Sequence, residues 1–580
     1  MERNSVLFYV IPKRWAAVCA TTTAALCLLM VALLLCGPPE ARAERLNNRD
    51  LYGQVRELLR NRIETGCTAP EFIVCGRDLY ASIALPRFYE KRSYLPIWID
   101  ESGISPASRE LLRALRGADA EGLRSSDYDL ARIGTMLERF GDLSSNQGRA
   151  NPRGLVDLEL LLTDAFLIYG SHLVAGRVNP ETFDPEWFAN RRDVDMAEVL
   201  ETAISSSAVQ ETLENLRPSQ AGYVRLREAL AAYRDIAQKG GWPVVPAGPK
   251  LEKGDSGSRI TSLRERLRVT GDLREGEAVD REEFDDGLEA AVKHFQKRHG
   301  LDVDGIVGPA TLSALNGSAE DRVRRIEINM ERWRWLPQDL GPRYIIVNIA
   351  NFELDVVEAE KEVLTMRVIV GRDYRRTPVF SGRMTYIVLN PYWHVPPSLA
   401  VKDILPQVRK NPGYLTEKGF KIFQGWGGDT KEIDPNSVDW PKVTAKDFKY
   451  RFRQEPGPVN ALGRVKFMFP NKFDVYLHDT PSQDLFAKTA RAFSSGCIRV
   501  EKPIELAEYV LRDDPKWNRD AVLAVIGRRV EQTVRLPESI PVHVLYWTAW
   551  VDAFGTVHFR EDIYGRDKLL AEALAEKPPM

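Results

Sequence analysis

At 580 residues the chain is long enough for about three to four domains, and an apolar content of 44% can fill sizeable cores. A net charge of −2 leaves no basic footprint for nucleic acid; the local basic runs read as solvated helix faces. The chain opens on Arg3, Lys13 and Arg14, then an uncharged apolar run from Trp15 to Cys36, then Pro38-Pro39 and Ala41-Arg42-Ala43. Residues 1–43 read as a targeting segment. It is either a signal peptide cut after Ala43 or an anchor, because the run is long enough to span a bilayer. Both place the rest of the chain outside the cytoplasm, touching a membrane only through this segment.

Of six cysteines, Cys19, Cys27 and Cys36 lie in that run as small hydrophobes. Cys67 and Cys75 lie in the exported part, where an oxidising compartment makes a disulfide the default. Cys497 is then left unpaired, as a reactive thiol would be.

Residues 44–245 read as mostly helical. Ser105-Pro106 starts one helix, with Ser as N-cap and Pro at N1. Leu155 to Leu173 is another, and Asp157, Glu159 and Asp164 within it rule out a membrane span. His172 reads as a structural histidine rather than a ligand. Gly240-Gly241-Trp242-Pro243 opens a linker. In the compact unit 251–317, Ile260, Leu263 and Leu267 share one helical face, and Leu288, Val292 and Phe295 another. Gly300 ends the second helix, and Pro309 starts a third. His294 and His299, five apart, face different sides, which argues against zinc. A helical connector, 320–341, follows.

From Pro342 the apolar period becomes two: Phe352, Leu354 and Val356 alternate with Glu353 and Asp355. Val363–Val370, Met384–Asn390, Phe473–Leu477 and Val522–Gly527 are further strand-like runs. Together they predict an antiparallel, sandwich-like domain over 342–535, followed by a C-terminal segment, 536–580. The pattern lapses over about 391–465, an insert that is helical from Leu399 to Arg409. A long insert beside catalytic strands is often a lid. His394, at its start, reads as a loop hydrogen-bonding residue.

The chemistry concentrates in His478 to Arg499. A thiol needs a base or a cation to ionise near neutral pH, and His478 lies upstream of Cys497 at the end of an alternating run that includes Tyr476. Ser495-Gly496 forms a small-residue turn whose backbone amides can approach an oxyanion. Arg499 offers a fixed cation for a carboxylate.

His478, then Ser494-Ser495-Gly496-Cys497-Ile498-Arg499, resembles the signature of bacterial L,D-transpeptidases. The longer strings His478-Asp479-Thr480-Pro481 and Arg491-Ala492-Phe493-Ser494 resemble the large Gram-negative branch. Phe295-Gln296-Lys297-Arg298-His299-Gly300-Leu301 with Asp304-Gly305 and Gly308-Pro309 looks like the three-helix peptidoglycan-binding repeat. Tyr94 to Trp98, the helix at Leu155 and Gly176-Arg177-Val178 resemble the family's scaffold domain; Tyr546–Asp552 and Asp562–Asp567 also match.

The resemblance implies an α+β chain: a scaffold domain, a peptidoglycan-binding-like module and a β-rich catalytic domain with a capping insert. It implies periplasmic acyl transfer without metal or cofactor. Cys497 would be the nucleophile and His478 its base, because Ser495 stands where many smaller members carry a second histidine. Ser495, Gly496, Arg499, Tyr476 and Trp393 would line the oxyanion and substrate sites. Peptidoglycan stem peptides would be the partners, with other cell-wall enzymes as candidates, and carbapenems would acylate the thiol. The competing readings are a carboxypeptidase, an enzyme attaching protein to peptidoglycan, and an inert wall-binding scaffold. A serine penicillin-binding mechanism is disfavoured, since no Ser has Lys three positions on.

Overall fold

The computed structural model describes residues 39–66, 73–140, 151–188, 191–274, 281–425 and 430–576. The targeting segment lies outside these residues up to position 38; a helix, Pro39–Gly66, begins just beyond. Cys67 also lies outside them. Cys75 is a free, exposed thiol in the structure, 3.5 Å from the Asp157 carboxylate. The pairing with Cys67 therefore stands as a prediction: non-reducing peptide mapping of the exported protein should recover one linked peptide, worth about 2–3 kcal/mol. Recovery of both thiols alkylated refutes it.

The N-terminal helical domain is built around Pro152–Ala175. This helix is long and apolar enough to cross a membrane, yet 89% of its apolar window is buried inside the protein. Its charged residues explain why it is a core helix. Glu159 accepts from the amides of Ile97 (2.6 Å) and Trp98 (3.1 Å) and from the Tyr89 hydroxyl; Asp164 accepts from the Ala81 amide. Each carboxylate satisfies donors that would otherwise be orphaned in the interior. Burial pushes Glu159 up to about 7. Ser105 caps Pro106–Arg116 as expected, accepting from the Ala107 amide. His172 is structural: it is buried, with Nδ1 2.9 Å from the Tyr128 hydroxyl, and burial lowers it to about 3.

Helices Ser258–Val269, Asp286–Arg298 and Pro309–Asn316 enclose a separate core containing Ile260, Leu263, Leu267, Leu288, Val292 and Phe295. Here the Gln296 side chain ties the motif together. It donates to Asp304, the Ile306 carbonyl and Thr311, and accepts from the Gly305 amide. His294 reaches Asp272 instead of a metal-like cluster.

The C-terminal domain is a nine-stranded sheet: β1 Arg343–Asn348, β2 Glu353–Glu358, β3 Lys361–Gly371, β4 Phe380–Leu389, β5 Val465–Met468, β6 Leu477–His478, β7 Ala492–Ser494, β8 Ile498–Val500 and β9 Gln532–Leu545. The order is β7-β3-β8-β6-β5-β4-β9-β1-β2, and β2 pairs back onto β3, so the sheet closes on itself. The start of β3 pairs with β2, and Val368 and Ile369 then pair with β8.

The α+β class is as expected, but the sheet is not purely antiparallel. β6–β8, β7–β3 and β9–β1 are parallel. Two strand expectations are corrected. Val522–Gly527 lies in a helix, Arg519–Gly527, whose N-cap Asn518 accepts from the Ala521 amide. Of Phe473–Leu477 only Leu477 is in a strand, because the Asn471 side chain accepts from the Phe473 and Val475 amides and holds a turn. The boundary expected at 535 falls inside β9, so residues 536–545 continue the sheet, while Trp547, Ala549, Val551 and Phe559 share a core with helical residues such as Leu226, Leu230 and Ile326.

The insert leaves β4 and returns in β5, which pair directly, Leu389 opposite Val465. It carries a four-stranded sheet of its own, formed by Trp393–His394, Phe420–Gln424, Lys431–Ile433 and Tyr450–Gln454. His394 sits in that sheet opposite Arg453. A ten-residue buried core, including Val408, Ile422 and Trp440, makes the insert a folded cap rather than a loose loop.

Candidate active site

Two short parallel strands bring the site together. In β6 and β8, Leu477 is opposite Ile498 and His478 opposite Arg499. Residues paired across a sheet project to the same face, so imidazole and guanidinium share one side. The Ile498 amide donates to the Tyr476 carbonyl (3.1 Å), fixing Cys497 beside Tyr476.

The turn before Cys497 is tied from three directions. Ser494 Oγ donates to the Cys497 carbonyl (2.5 Å) and accepts from the Gly496 amide (3.1 Å). Thr377 Oγ1 donates to the Gly496 carbonyl (2.8 Å) and accepts from the Gly371 amide. Arg375 Nη1 donates to Ser495 Oγ (2.9 Å). Gly496 has φ +113°, a backbone region open chiefly to glycine. Its amide is committed to Ser494, so the expected oxyanion role of Gly496 is corrected. The Cys497 amide has no partner among the described residues and remains as a donor.

His478 is held in one tautomer. Its Nδ1 lies 2.6 Å from the Asp479 carbonyl. A carbonyl only accepts, so Nδ1 carries the proton and Nε2 keeps its lone pair. The Asp479 side chain locks that carbonyl in place, accepting from the Thr480 amide, Gln483, and the Arg464 amide and side chain. Gly463 makes room for it: a Cβ there would lie 2.4 Å from Asp479 Cγ. Burial, then the Arg499 charge, lowers His478 to about 3, so the imidazole is neutral. Burial pushes the Cys497 thiol up, against the opposing pull of Tyr476 and Lys466. Both shifts run against the expectation that His478 holds Cys497 as a thiolate near neutral pH, because burial favours the neutral thiol and the neutral imidazole. Burial is the largest cause of each shift.

Cys497, His478, Tyr476, Ser495, Gly496, Arg499 and Trp393 all line one cavity of about 1390 Å³ between the sheet and the cap. Trp393 and Lys402 come from the cap, Arg372 and Lys466 from the sheet side. Lys466 Nζ lies 3.9 Å over the Tyr476 ring. Arg499 makes no ion pair among the described residues, its Nε is buried without a partner, and burial followed by the Arg372 charge lowers its pKa. Such a cation is matched to an incoming carboxylate.

Sequence reasoning missed Thr377, Lys466, Arg372 and Arg375, and gave Asp479 no role. For Asp479 the signal was present, in its adjacency to His478. For Thr377 and Arg375 nothing in the sequence points across more than a hundred residues to the turn they hold.

Arg375 also joins the turn to the cap: while bonded to Ser495 it forms a fork to both oxygens of Asp403. The cap should exchange amide hydrogens faster than the sheet beneath it, Phe420–Gln424 before Val465–Met468. Asp403→Asn should widen that difference by releasing the fork. Equal protection of the two strands in the free protein refutes a moving cap.

Three family profiles match the chain: a scaffold domain at 83–230, a "Putative peptidoglycan binding domain" at 256–315 and an L,D-transpeptidase catalytic domain at 342–530. A "Putative L,D-transpeptidase" of Haemophilus influenzae is 36% identical over 245 residues, 42% of this chain and 48% of that protein. The N-acetylmuramoyl-L-alanine amidase CwlM of Mycobacterium tuberculosis is 43% identical over 75 residues, 12% of this chain and 18% of its own length. The chain thus spans about half or less of the curated relatives it matches. An L,D-transpeptidase structure from Stackebrandtia nassauensis aligns over 52% of this chain and 96% of its own, at 15% identity and a TM-score of 0.21, which supports no argument. Residues 342–530 thus match the L,D-transpeptidase catalytic domain, and matches to a scaffold domain and a putative peptidoglycan-binding domain precede them, an arrangement consistent with a multi-domain L,D-transpeptidase.

Proposed function

We propose that the chain is an extracytoplasmic L,D-transpeptidase that forms 3–3 cross-links between peptidoglycan stems. The observation that carries this reading is a tautomer-fixed neutral imidazole and a thiol in one cavity that also holds an unpaired Arg499.

Cys497 Sγ attacks the carbonyl carbon of the meso-diaminopimelate–D-Ala amide of a tetrapeptide stem. His478 Nε2 takes the thiol proton as the S–C bond forms. The oxyanion is met by the Cys497 amide, and a stem carboxylate by Arg499. The C–N bond then breaks, and D-Ala leaves with the proton from His478. The side-chain amine of a second stem attacks the thioester carbon and gives its proton to His478. The S–C bond breaks, and that proton returns to sulfur. Thiol and imidazole come within hydrogen-bonding reach as substrate fills the site; such contacts often tighten only in the complex. The cavity walls come from both sheet and cap, which suits two peptide stems.

Incubation with purified disaccharide-tetrapeptides tests the reading. Dimers with loss of D-Ala are expected. Tripeptide monomers alone would make the chain a carboxypeptidase, and unchanged substrate would leave a non-catalytic wall-binding protein.

A further inference from the structure

A second cavity, of about 1110 Å³, lies where the three-helix module, the connector helix Ala319–Arg334, the scaffold domain and the C-terminal segment meet. Its wall holds buried polar groups that no partner satisfies. Arg322 is 6% exposed. Its Nη2 donates only to the Ala314 carbonyl (2.7 Å), its Nε has no partner, and its guanidinium lies 4.9 Å over the Phe559 ring. His299, 7% exposed, is stacked between Phe295 and Phe559, and its Nε2 also has no partner.

Not every guanidinium beside these groups meets a carboxylate. Arg560 donates to the Arg298 and Phe559 carbonyls and to Asn351, none of them a carboxylate. Arg298 is matched by Asp272. Among the described residues neither Arg322 nor Arg560 has an ion-pair partner, and burial lowers both to about 10. The wall carboxylates are committed or at the rim: Glu327 pairs with Arg234, Asp321 with Arg324, Glu331 with Arg334 and Asp567 with Arg332, Asp119 accepts from Ser125, and Glu561 and Glu572 are exposed. The Glu353 carboxylate offsets part of the Arg560 charge, whereas Arg322 makes no ion pair among the described residues; a buried cation of that kind is costly, and beside an unsatisfied neutral imidazole it forms a matched pair of hydrogen-bonding groups.

We infer that this seam is a second binding site, distinct from the one at Cys497. It takes a carboxylate flanked by a neutral hydrogen-bonding group, with Arg322 meeting the charge and His299 the neutral group. An acidic peptide stem and an acidic amino sugar both carry that chemistry. The choice of these as ligands rests on the function proposed above; the unsatisfied Arg322 and His299 do not.

Hydrogen exchange on the full chain localises binding. The probes are the stem tetrapeptide, N-acetylmuramic acid, and chitotetraose, which has no carboxylate. Protection over 299–325 is expected with one or both acids and not with chitotetraose, and the acid that protects names the source. Arg322→Gln should weaken that binding by about tenfold or more, the usual worth of a charge-assisted hydrogen bond. Because Arg322→Gln removes a buried side chain, Ser313→Trp, at an exposed position on the mouth, serves as the second variant and should block the site without touching the core. Equal protection by chitotetraose, no seam protection by any probe, or wild-type binding in both variants overturns the inference. Protection over 473–499 reads the catalytic site separately, so failure of one reading is distinguishable from failure of the other.

Discussion

Cys497→Ala is expected to abolish both the product and any covalent adduct, because a methyl group cannot carry an acyl chain. Intact-protein mass spectrometry after treatment with meropenem gives the adduct readout: one adduct per wild-type chain, none in the variant. The reacting lactam stands in for the donor amide, as the family resemblance implies. In protein whose disulfides are reduced, the other described cysteine, Cys75, is a fair control. Its thiol is exposed, yet burial and the neighbouring Asp157 carboxylate push its pKa up, and its hydrogen-bond partner is that carboxylate rather than an imidazole. A carboxylate neighbour disfavours the thiolate, so Cys75 should not substitute for Cys497. An adduct that survives in Cys497→Ala places the nucleophile elsewhere and removes the basis of the proposed reaction. The fold should not obscure the result: the turn is held by Ser494, Thr377 and Arg375 through the Cys497 and Gly496 carbonyls and the Ser495 hydroxyl, none of which the substitution removes.

What the sequence made legible is what local chemistry dictates. Ser105-Pro106 and Pro309 announced helix starts because capping and the proline φ act within a few residues. The Pro152–Ala175 helix read correctly as non-membrane because three acids sit in its apolar run, and two of them proved to be satisfying buried amides. The proposed nucleophile and base, Cys497 and His478, were legible because a family motif marks them. What failed depends on distant partners. Val522–Gly527 is apolar and β-branched enough for either state, and Asn518 decided for a helix by capping it. The parallel pairings of β6 with β8 and β9 with β1 join segments separated by inserts and helices, so no local period announces them. The ionisation of Cys497 likewise depends on groups that lie far apart in sequence. Residue types predict an ion pair, whereas burial of both partners, visible only once the sheet closes, favours the neutral forms.

That last point separates two roles for His478 that residue identity alone would merge. If His478 acts only as a base during reaction, His478→Ala should cut turnover by roughly 10²–10⁴-fold and leave the ionisation of the resting thiol nearly unmoved. Alkylation of Cys497 by iodoacetamide between pH 6 and 10 reads that ionisation directly, since only the thiolate reacts. The sign follows from the two shifts. The thiol is raised by burial, so the thiolate population, and the alkylation rate, should climb with pH through a midpoint above the ~8.5 of a free cysteine. The imidazole is lowered to about 3, so no second step should appear near pH 6.5, where an ordinary histidine would titrate. In His478→Ala the midpoint should stay above that of a free thiol, because the imidazole it loses carried no charge. A thiolate–imidazolium pair would behave oppositely: alkylation would be fast and flat down to pH 6 in the wild type, with a large upward shift of the midpoint in the variant. That outcome would reinstate the ion pair and mean that water or substrate, by relieving the burial of the site, reverses the balance that the closed cavity sets. Asp479→Asn offers the finer test of the same geometry. Its side chain keeps one acceptor oxygen, so it can serve the Thr480 amide or the Arg464 amide but not both, since these bond to different oxygens of Asp479. The carbonyl that orients His478 then loosens, and turnover should fall less than in His478→Ala, with the alkylation midpoint unchanged.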